Sequence, residues 1–470
     1  MSRAKRARRF PERIQEVIER LRKSNGLDAF QKLLPVEVID AVLTDVRYTF
    51  RDRLYTPAVT LWVFLSQVLS CDHSCSDAVA RLLAWRTARG ESPCSPETGS
   101  YCTARSRLPE QLYTRLVEET GASLEREAPA RWRWKRRSVK IVDGATVTMA
   151  DTEENQAAYP QPATQKPGLG FPIARLVVIF SLSVGTVLQY ALGRYQGKQT
   201  GENQLFRGML AAIAPEDVVL GDRHYGDYWN FALVRARQAD LVTRLHQARK
   251  LDLRQAKKLG PNDYLVVWQK PEQRPDWMDQ ATYAAMPAEL TIRVVRVQVA
   301  IRGFRVREYW ITTSLLDPRH YTPEDLADLY RARWYAELNL RSLKSVLQME
   351  HLRCQTPEMV RKELAMHLIA YNVLRRVIAE AARHQDLTPG QISFKGALQT
   401  FKAFREEGLL LDIRRVECFA TLLAAIASHR VGDRPNRVEP RAIKRRPKPH
   451  DLLTVPRKVA RKRLLETNKA

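Results

Sequence analysis

The segment TPEDLADLYRARWYAELNLRSLKSVL, Thr322 to Leu347, constrains this chain most. It reads as one helix. Thr322 is a good N-cap, Pro323 suits the first helical position, and Asp325 stands where a capping box places an acid. Tyr330, Arg333, Glu337 and Lys344 follow one another at steps of three, four and seven residues. At about 100° per residue, all four fall within a sector of about 60° on one face. One carboxylate thus stands in a row with a phenol and two cations. Most such rows are solvated faces with i,i+4 ion pairs, so the row takes its meaning from the rest of the chain.

Four hundred and seventy residues exceed what one core organises, which predicts two or three domains. A hydrophobic content of 44% and only 20 Gly describe a folded, non-fibrous chain. Lys and Arg number 77 against 52 acids, a net charge of +25. That excess points to a polyanion, most commonly nucleic acid, with a ribosomal-type or membrane-surface protein as the competing class. No apolar run reaches the ~18 residues a membrane span needs, and none follows the basic start MSRAKRARRF. The expectation is a cytoplasmic chain without a membrane partner, its cysteines reduced. Cys71, His73, Cys75, Cys94 and Cys102 lie close in sequence, but their spacing fits no two-pair zinc pattern.

Residues 1 to about 130 read as helices: TPAVTLWVFLSQVLS (56–70), SDAVARLLAWR capped by Ser76, SPETGSYCTARSRL (95–108), and a further helix restarted by Pro109. Short helices joined by tight turns, with Arg105 and Arg107 on one of them, suit a helix-turn-helix-like DNA reader or a plain bundle. RWRWKRR (131–137) suits either a phosphate backbone or a charged linker. From Ser138 the pattern changes. SVKIVDGATVTM is a strand carrying Asp143, a Gly- and Pro-rich loop follows, and IARLVVIFSLSVGTVLQYALGRY gives two strands turning near Val184-Gly185. GENQLFRGMLAAI is a helix, EDVVLGDRHYGD a short strand ending at Asp222, YWNFALVRARQ a helix, and ADLVTRLH a strand ending near Arg244. Three antiparallel strands followed by parallel additions through helical crossovers make the ribonuclease H-like arrangement. There two strands each place an acid at one sheet edge, and a later helix brings a third.

Residues 246–318 interrupt this scheme with β-rich segments, the last two a hairpin around Arg302-Gly303. After the opening helix, 359–383 is a strongly amphipathic helix, and 395–429 is again helical. The Pro-rich basic tail reads as extended or disordered until it meets a partner. The predicted class is α/β: a mixed five-stranded ribonuclease H-like domain over 136–245 and 319–385, interrupted by a β insertion over 246–318. A helical DNA-binding domain (1–135) precedes it, and a helical region with the basic tail (386–470) follows.

Asp143, Asp222 and Glu337 are three carboxylates that this topology brings together. Oxygen-only ligands suit Mg²⁺ or Mn²⁺. Two such ions ~3.5–4 Å apart activate a hydroxyl and stabilise a leaving oxygen in displacement at phosphorus. The Y-x-x-R-x-x-x-E-x-x-x-x-x-x-K row of Tyr330, Arg333, Glu337 and Lys344 matches the signature of the insertion-sequence-four (YREK) family of DDE transposases. VDGATV at Asp143 and LGDRHYGD at Asp222 resemble the family's two Asp motifs, and the likeness covers residues 138–380. The resemblance implies a bacterial cut-and-paste enzyme using two Mg²⁺ ions, or Mn²⁺. Its partner would be double-stranded DNA, both terminal inverted repeats and target, with a homodimer in the synaptic complex. It implies that Tyr330, Arg333 and Lys344 grip the phosphate of the non-transferred strand, and that Arg244 contacts DNA. It further implies that an aromatic of the β insertion, Trp310 or its neighbour Tyr309, holds a flipped base. Strand alternation puts those two on opposite faces, so only one can point at the site. A nuclease of the same fold without strand transfer, and a non-catalytic transposase-derived DNA-binding protein, are the alternatives.

Overall fold

The computed structural model describes residues 12–14, 17–18, 34, 36–198, 200–249, 251–298, 308–406, 416–432 and 452–467. Among the described residues, the helices from Val36 to the first strand are α1 (Val36–Asp45), α2 (Pro57–Leu69), α3 (Cys75–Ala88), α4 (Gly99–Arg107) and α5 (Glu110–Arg126). Thr56 caps α2 by accepting from the Val59 amide, with Pro57 in the first turn. Ser74, two residues before the expected Ser76, caps α3 by accepting from the Asp77 amide.

The strands are β1 (Val139–Met149), β2 (Ile173–Ser181), β3 (Val187–Arg194), β4 (Val218–Leu220), β5 (Asp240–Arg244), β6 (Lys257–Gly260), β7 (Asp263–Gln269), β8 (Glu289–Gln298), β9 (Glu308–Thr313) and β10 (His351–Leu352). They form one sheet in the order β3-β2-β1-β4-β5-β9-β8-β7-β6, with β10 on β1. β1, β2 and β3 are antiparallel neighbours, and β4 and β5 add in parallel. The segment 246–318 does not form a body of its own. β9 pairs antiparallel with β5, Val242 opposite Thr313 and Arg244 opposite Ile311, so the insertion continues the same sheet. β8 and β9 do form the expected hairpin. Its turn at Arg302-Gly303 lies outside the described residues.

Helices cover both faces. In chain order they are α6 (Glu153–Ala158), α7 (Glu202–Gly208), α8 (Tyr228–Ala236), α9 (Gln280–Ala285), α10 (Pro323–Ala332), α11 (Trp334–Arg341), α12 (Pro357–His384), α13 (Phe394–Glu406), α14 (Val416–Ser428) and α15 (Arg457–Thr467). Ile141, Val147 and Phe180 share one core with Leu116 of α5 and Leu368 of α12. Val142, Val177 and Ile179 share the other with Phe206 of α7 and Phe231 of α8. The alternation along β1 and β2 is that of strands buried on both sides. Helix α5 lies on β3 so closely that a Cβ on Gly121 would fall 2.0 Å from the Val187 carbonyl oxygen. The Asn372 amide of α12 donates to the Val117 and Val187 carbonyls at 3.1 and 2.9 Å, joining helix to strand. The N-terminal helices therefore share the core of the sheet and are not walled off at residue 135.

RWRWKRR is not a free linker: both its tryptophans pack against the fold. Trp132 is buried and donates to the Leu387 carbonyl at 2.9 Å, and Trp134 stacks on Tyr321 with centroids 5.5 Å apart. Arg137 reaches Asp240 at 2.6 Å, and Lys135 reaches Asp325 at 2.8 Å. Desolvated indoles and short ion pairs hold this segment against the sheet.

The opening helix is broken. Thr322 and Asp325 form the expected capping box, and α10 runs from there to Ala332. At Arg333 the amide bonds back three residues, to Tyr330, and Ala336 bonds to Arg333 in the same way. This local tightening separates α10 from α11. After Arg341 the chain widens into a π turn over Ser342–Val346. There the Ser342 hydroxyl donates to the Leu338 carbonyl at 2.9 Å, a back-bond that bends helices. The basic tail, read as extended, is helical in α15. Arg, Lys and Leu are good helix formers, and Lys458 stands 3.2 Å from Glu153 of α6. The rest of the tail over 433–451 lies outside the described residues. Among the described residues, no helix is long and apolar enough to cross a membrane.

Candidate active site

β4 pairs with β1 only through Val139, Lys140 and Ile141, and β10 only with Thr148 and Met149. Between them one edge of β1 is left open, and Asp143 sits in that gap. A cleft of about 700 Å³ fills it, lined among others by Asp143, Thr146, Arg175, Tyr195, Glu202, Asp222, Arg333, Glu337, Arg341 and Lys344. The three expected carboxylates thus face one cleft from three separate elements: mid-β1, the loop after β4, and α11.

Each is held differently. Asp143 accepts from the Gly144 amide at 2.9 Å. Asp222 caps a short 3-10 turn, accepting from the His224 amide at 2.7 Å. Glu337 accepts from Arg333 Nη2 at 2.7 Å, and Arg333 Nη1 stands 3.7 Å from Asp143. The guanidinium therefore lies between two of the acids. Burial pushes the Asp143 carboxyl up to about 6; the Gly144 amide and Arg333 oppose this, and Asp222 and Glu337 add to it. Burial also works against the Arg333 cation, but its contacts with Glu337, Tyr330 and Asp143 outweigh that and raise its pKa.

The rest of the row divides. Lys344, in the π turn, lines the cleft and pairs with Glu350 at 3.4 Å. Tyr330 does not line the cleft. Its ring packs on Tyr309 with centroids 5.4 Å apart, and burial pushes its hydroxyl up to about 12, with Arg333 opposing and Asp222 adding. Arg244, at the end of β5, lies 5.6 Å over the Tyr309 ring. Tyr309 is therefore the β9 aromatic on the side of the row. Trp310 is turned to the other face, against Tyr264 at 6.3 Å, because neighbouring strand residues point oppositely. Of the two aromatics that the sequence leaves open, Tyr309 therefore stands beside the row and Trp310 on the opposite face of β9.

Glu202, Arg175 and Tyr195 were not singled out from the sequence. Glu202 sits in the first turn of α7 and pairs with Arg175 at 3.2 Å. Arg175 lies 5.2 Å from the Tyr195 ring centre and donates to its carbonyl at 3.1 Å. A Cβ on Gly144 would fall 2.4 Å from Glu202 Cδ, so the residue after Asp143 has room only for glycine unless Glu202 moves. An acid just behind Gly201, opening the helix after the third strand, was the available signal.

A buried acid whose burial outweighs its partners lowers stability where it is charged. The Asp143 side chain is 17% exposed, and its pKa moves from 3.8 to about 6. Between those values the folded state binds the extra proton, so stability falls as pH rises and the full cost holds above pH ~6. Asp143→Asn is expected to raise stability at pH 7.5 by on the order of 2 kcal/mol, the gain shrinking toward pH 4. Urea unfolding across that range checks it; a pH-independent difference would place the cost elsewhere.

Residues 134–373, the stretch that builds this cleft, match the family described as the transposase DDE domain. That match places the chain in the class of DDE transposases. Transposase InsG for insertion sequence element IS4 of Escherichia coli (strain K12) is 28% identical over 302 residues, 62% of this chain and 63% of that protein. Putative transposase InsL for insertion sequence element IS186A of the same organism is 36% identical over 68 residues, 14% of this chain and 18% of that protein. The cryo-EM structure of the piggyBac transposase synaptic complex with hairpin DNA aligns over 83% of this chain and 84% of that chain, at 9% identity and a TM-score of 0.41. The chain belongs to the insertion-sequence-four family of DDE transposases, and it spans 63% of the length of its IS4 relative.

Proposed function

We propose that this chain cuts and joins the ends of an insertion sequence by metal-dependent phosphoryl transfer, acting on terminal inverted repeats and then on target DNA. The observation that supports this most is the cleft itself, where Asp143, Asp222 and Glu337 come from three elements and a guanidinium lies between two of them. The order β3-β2-β1-β4-β5, with acids at the open edge of β1 and just beyond β4, supports the ribonuclease H-like reading.

The donor set fits Mg²⁺ or Mn²⁺: all oxygen, negatively charged, and already drawing a cation. As they stand, no three His, Cys, Asp or Glu side chains among the described residues are close enough to hold a metal, and Arg333 fills the space between Asp143 and Glu337. Asp143, Asp222 and Glu337 would hold two ions. When bound, these supply Lewis-acid activation of the attacking oxygen and neutralisation of charge at phosphorus.

The chain's own residues position the DNA. Arg333 forks onto phosphate and Lys344 supplies a point charge at the cleft wall. Tyr330, whose ring packs on Tyr309, lies near enough to Arg333 to support its charge electrostatically. Arg244 stacked over the Tyr309 ring, beside Tyr330, would suit a splayed base. The helical N-terminal region and the basic tail add contacts to the duplex, and two copies of the chain bring two ends together.

The test is a plasmid carrying the gene with its flanking DNA, incubated with the protein, Mg²⁺ and a second plasmid. The expected result is an excised linear element and insertions bracketed by a short direct duplication. Cleavage without joining would make the protein a nuclease, and binding without cleavage a DNA-binding derivative.

A further inference from the structure

Arg333 occupies an unusual place. Its guanidinium is 2.7 Å from Glu337 and 3.7 Å from Asp143, the two acids contributed by different elements. It also stands at the joint of α10 and α11, where three-residue amide bonds replace the regular ladder. Asp222, which accepts from the His224 amide at 2.7 Å, is not part of this bridge. Arg341 and Lys344 line the same cleft.

We propose that Arg333 is an internal counter-ion that is exchanged on assembly. In the DNA-free protein it bridges Glu337 toward Asp143. A DNA phosphate draws the guanidinium out of that position and opens both carboxylates to the divalent cation. This inference rests on the metal-dependent reading above.

The physical reason is competition for the same oxygens. A guanidinium donating to Glu337 and a divalent ion held by Glu337 and Asp143 would be like charges a few ångströms apart in a half-buried cleft, which disfavours both being present. Phosphate is the alternative acceptor of forked Arg donors. Metal and DNA end therefore displace the same contact and bind cooperatively, and by linkage each tightens the other by the same factor. The consequence is a cleft with low affinity for the ion until a DNA end has arrived, which restrains indiscriminate cutting.

The experiment measures Mn²⁺ binding to the full chain by the EPR signal of free Mn²⁺, with and without an element-end duplex. Four proteins are compared: wild type, Arg333→Gln, Lys344→Gln and Glu337→Gln, with circular dichroism confirming folding. Without DNA, Arg333→Gln is expected to bind Mn²⁺ about tenfold more tightly than wild type, and the tightening by DNA seen in wild type should largely vanish. Lys344→Gln removes one cleft cation that does not touch Glu337 or Asp143, and should change Mn²⁺ affinity much less. Equal effects of the two variants, or weaker binding by Arg333→Gln, would overturn the exchange and leave the metal site standing. Mn²⁺ affinity unaltered by Glu337→Gln, with or without DNA, would instead overturn the metal-dependent reading itself.

Discussion

Glu337→Gln is expected to reduce cleavage and joining of element-end DNA by about a thousandfold or more, while DNA binding persists or tightens. The change keeps the volume of the side chain and its capacity to accept from Arg333 Nη2, so the 2.7 Å contact can survive. The Glu337 side chain is 40% exposed, which leaves little packing to lose. What disappears is one negative charge among the acids facing the cleft and, on the proposed reading, a hard oxygen ligand. Removing that charge also removes a repulsion toward phosphate. Cleavage in Mg²⁺ and a mobility shift on the same duplex separate the two effects. A variant that nicks at near wild-type rate would take Glu337 out of the active site. If the row were only a solvated face, the change would leave activity normal and alter stability slightly.

The second large effect concerns stability and lies away from the acids. Arg293 of β8 is fully buried and forks onto Asp263 of β7 at 2.8 and 2.6 Å. Its other nitrogen donates to the Tyr321 carbonyl at 2.6 Å, just before the cap of α10. The inserted strands are thereby tied to the segment that launches the helices carrying Arg333 and Glu337. Arg293→Met would leave the Asp263 carboxylate buried and unpaired, a loss of about 3–5 kcal/mol. Combining it with Asp263→Leu removes the stranded charge and should restore much of that loss, because a well-packed apolar pair substitutes for a buried ion pair. Urea unfolding of both single variants and the double variant measures the coupling. A loss below about 1 kcal/mol for Arg293→Met would mean the pair is hydrated in solution, contrary to its burial.

Much of the site was legible because its signals are local. The spacing of Arg333 and Glu337 needs only helical periodicity, and their ion pair is the i,i+4 contact that periodicity predicts. Asp143 and Asp222 stood out as acids among or just after apolar strand residues. The strand order followed from hydrophobic runs alternating with helical crossovers. The capping box of Thr322 and Asp325 formed as its pattern requires.

The features that sequence left open depend on non-local contacts. Whether residues 246–318 stood apart or extended the sheet was decided by the free edge of β5 accepting β9, a pairing between residues about seventy apart. RWRWKRR read equally as a phosphate-backbone contact or a charged linker because composition does not say which partner a Trp will find; Leu387 and Tyr321 supply those partners. The choice between Tyr309 and Trp310 turned on strand register, where a shift of one residue exchanges the faces. The sequence by itself determined which residues carry charge, which segments of 138–244 are helix or strand, and which acids lie at strand and helix positions able to meet. Only the tertiary structure decided that β1 has an open edge, that Glu202 and Arg175 wall it, and that Arg333 sits between Asp143 and Glu337. Those outcomes are set by where strands stop pairing and where helices break, and such endings are fixed by packing across the whole chain.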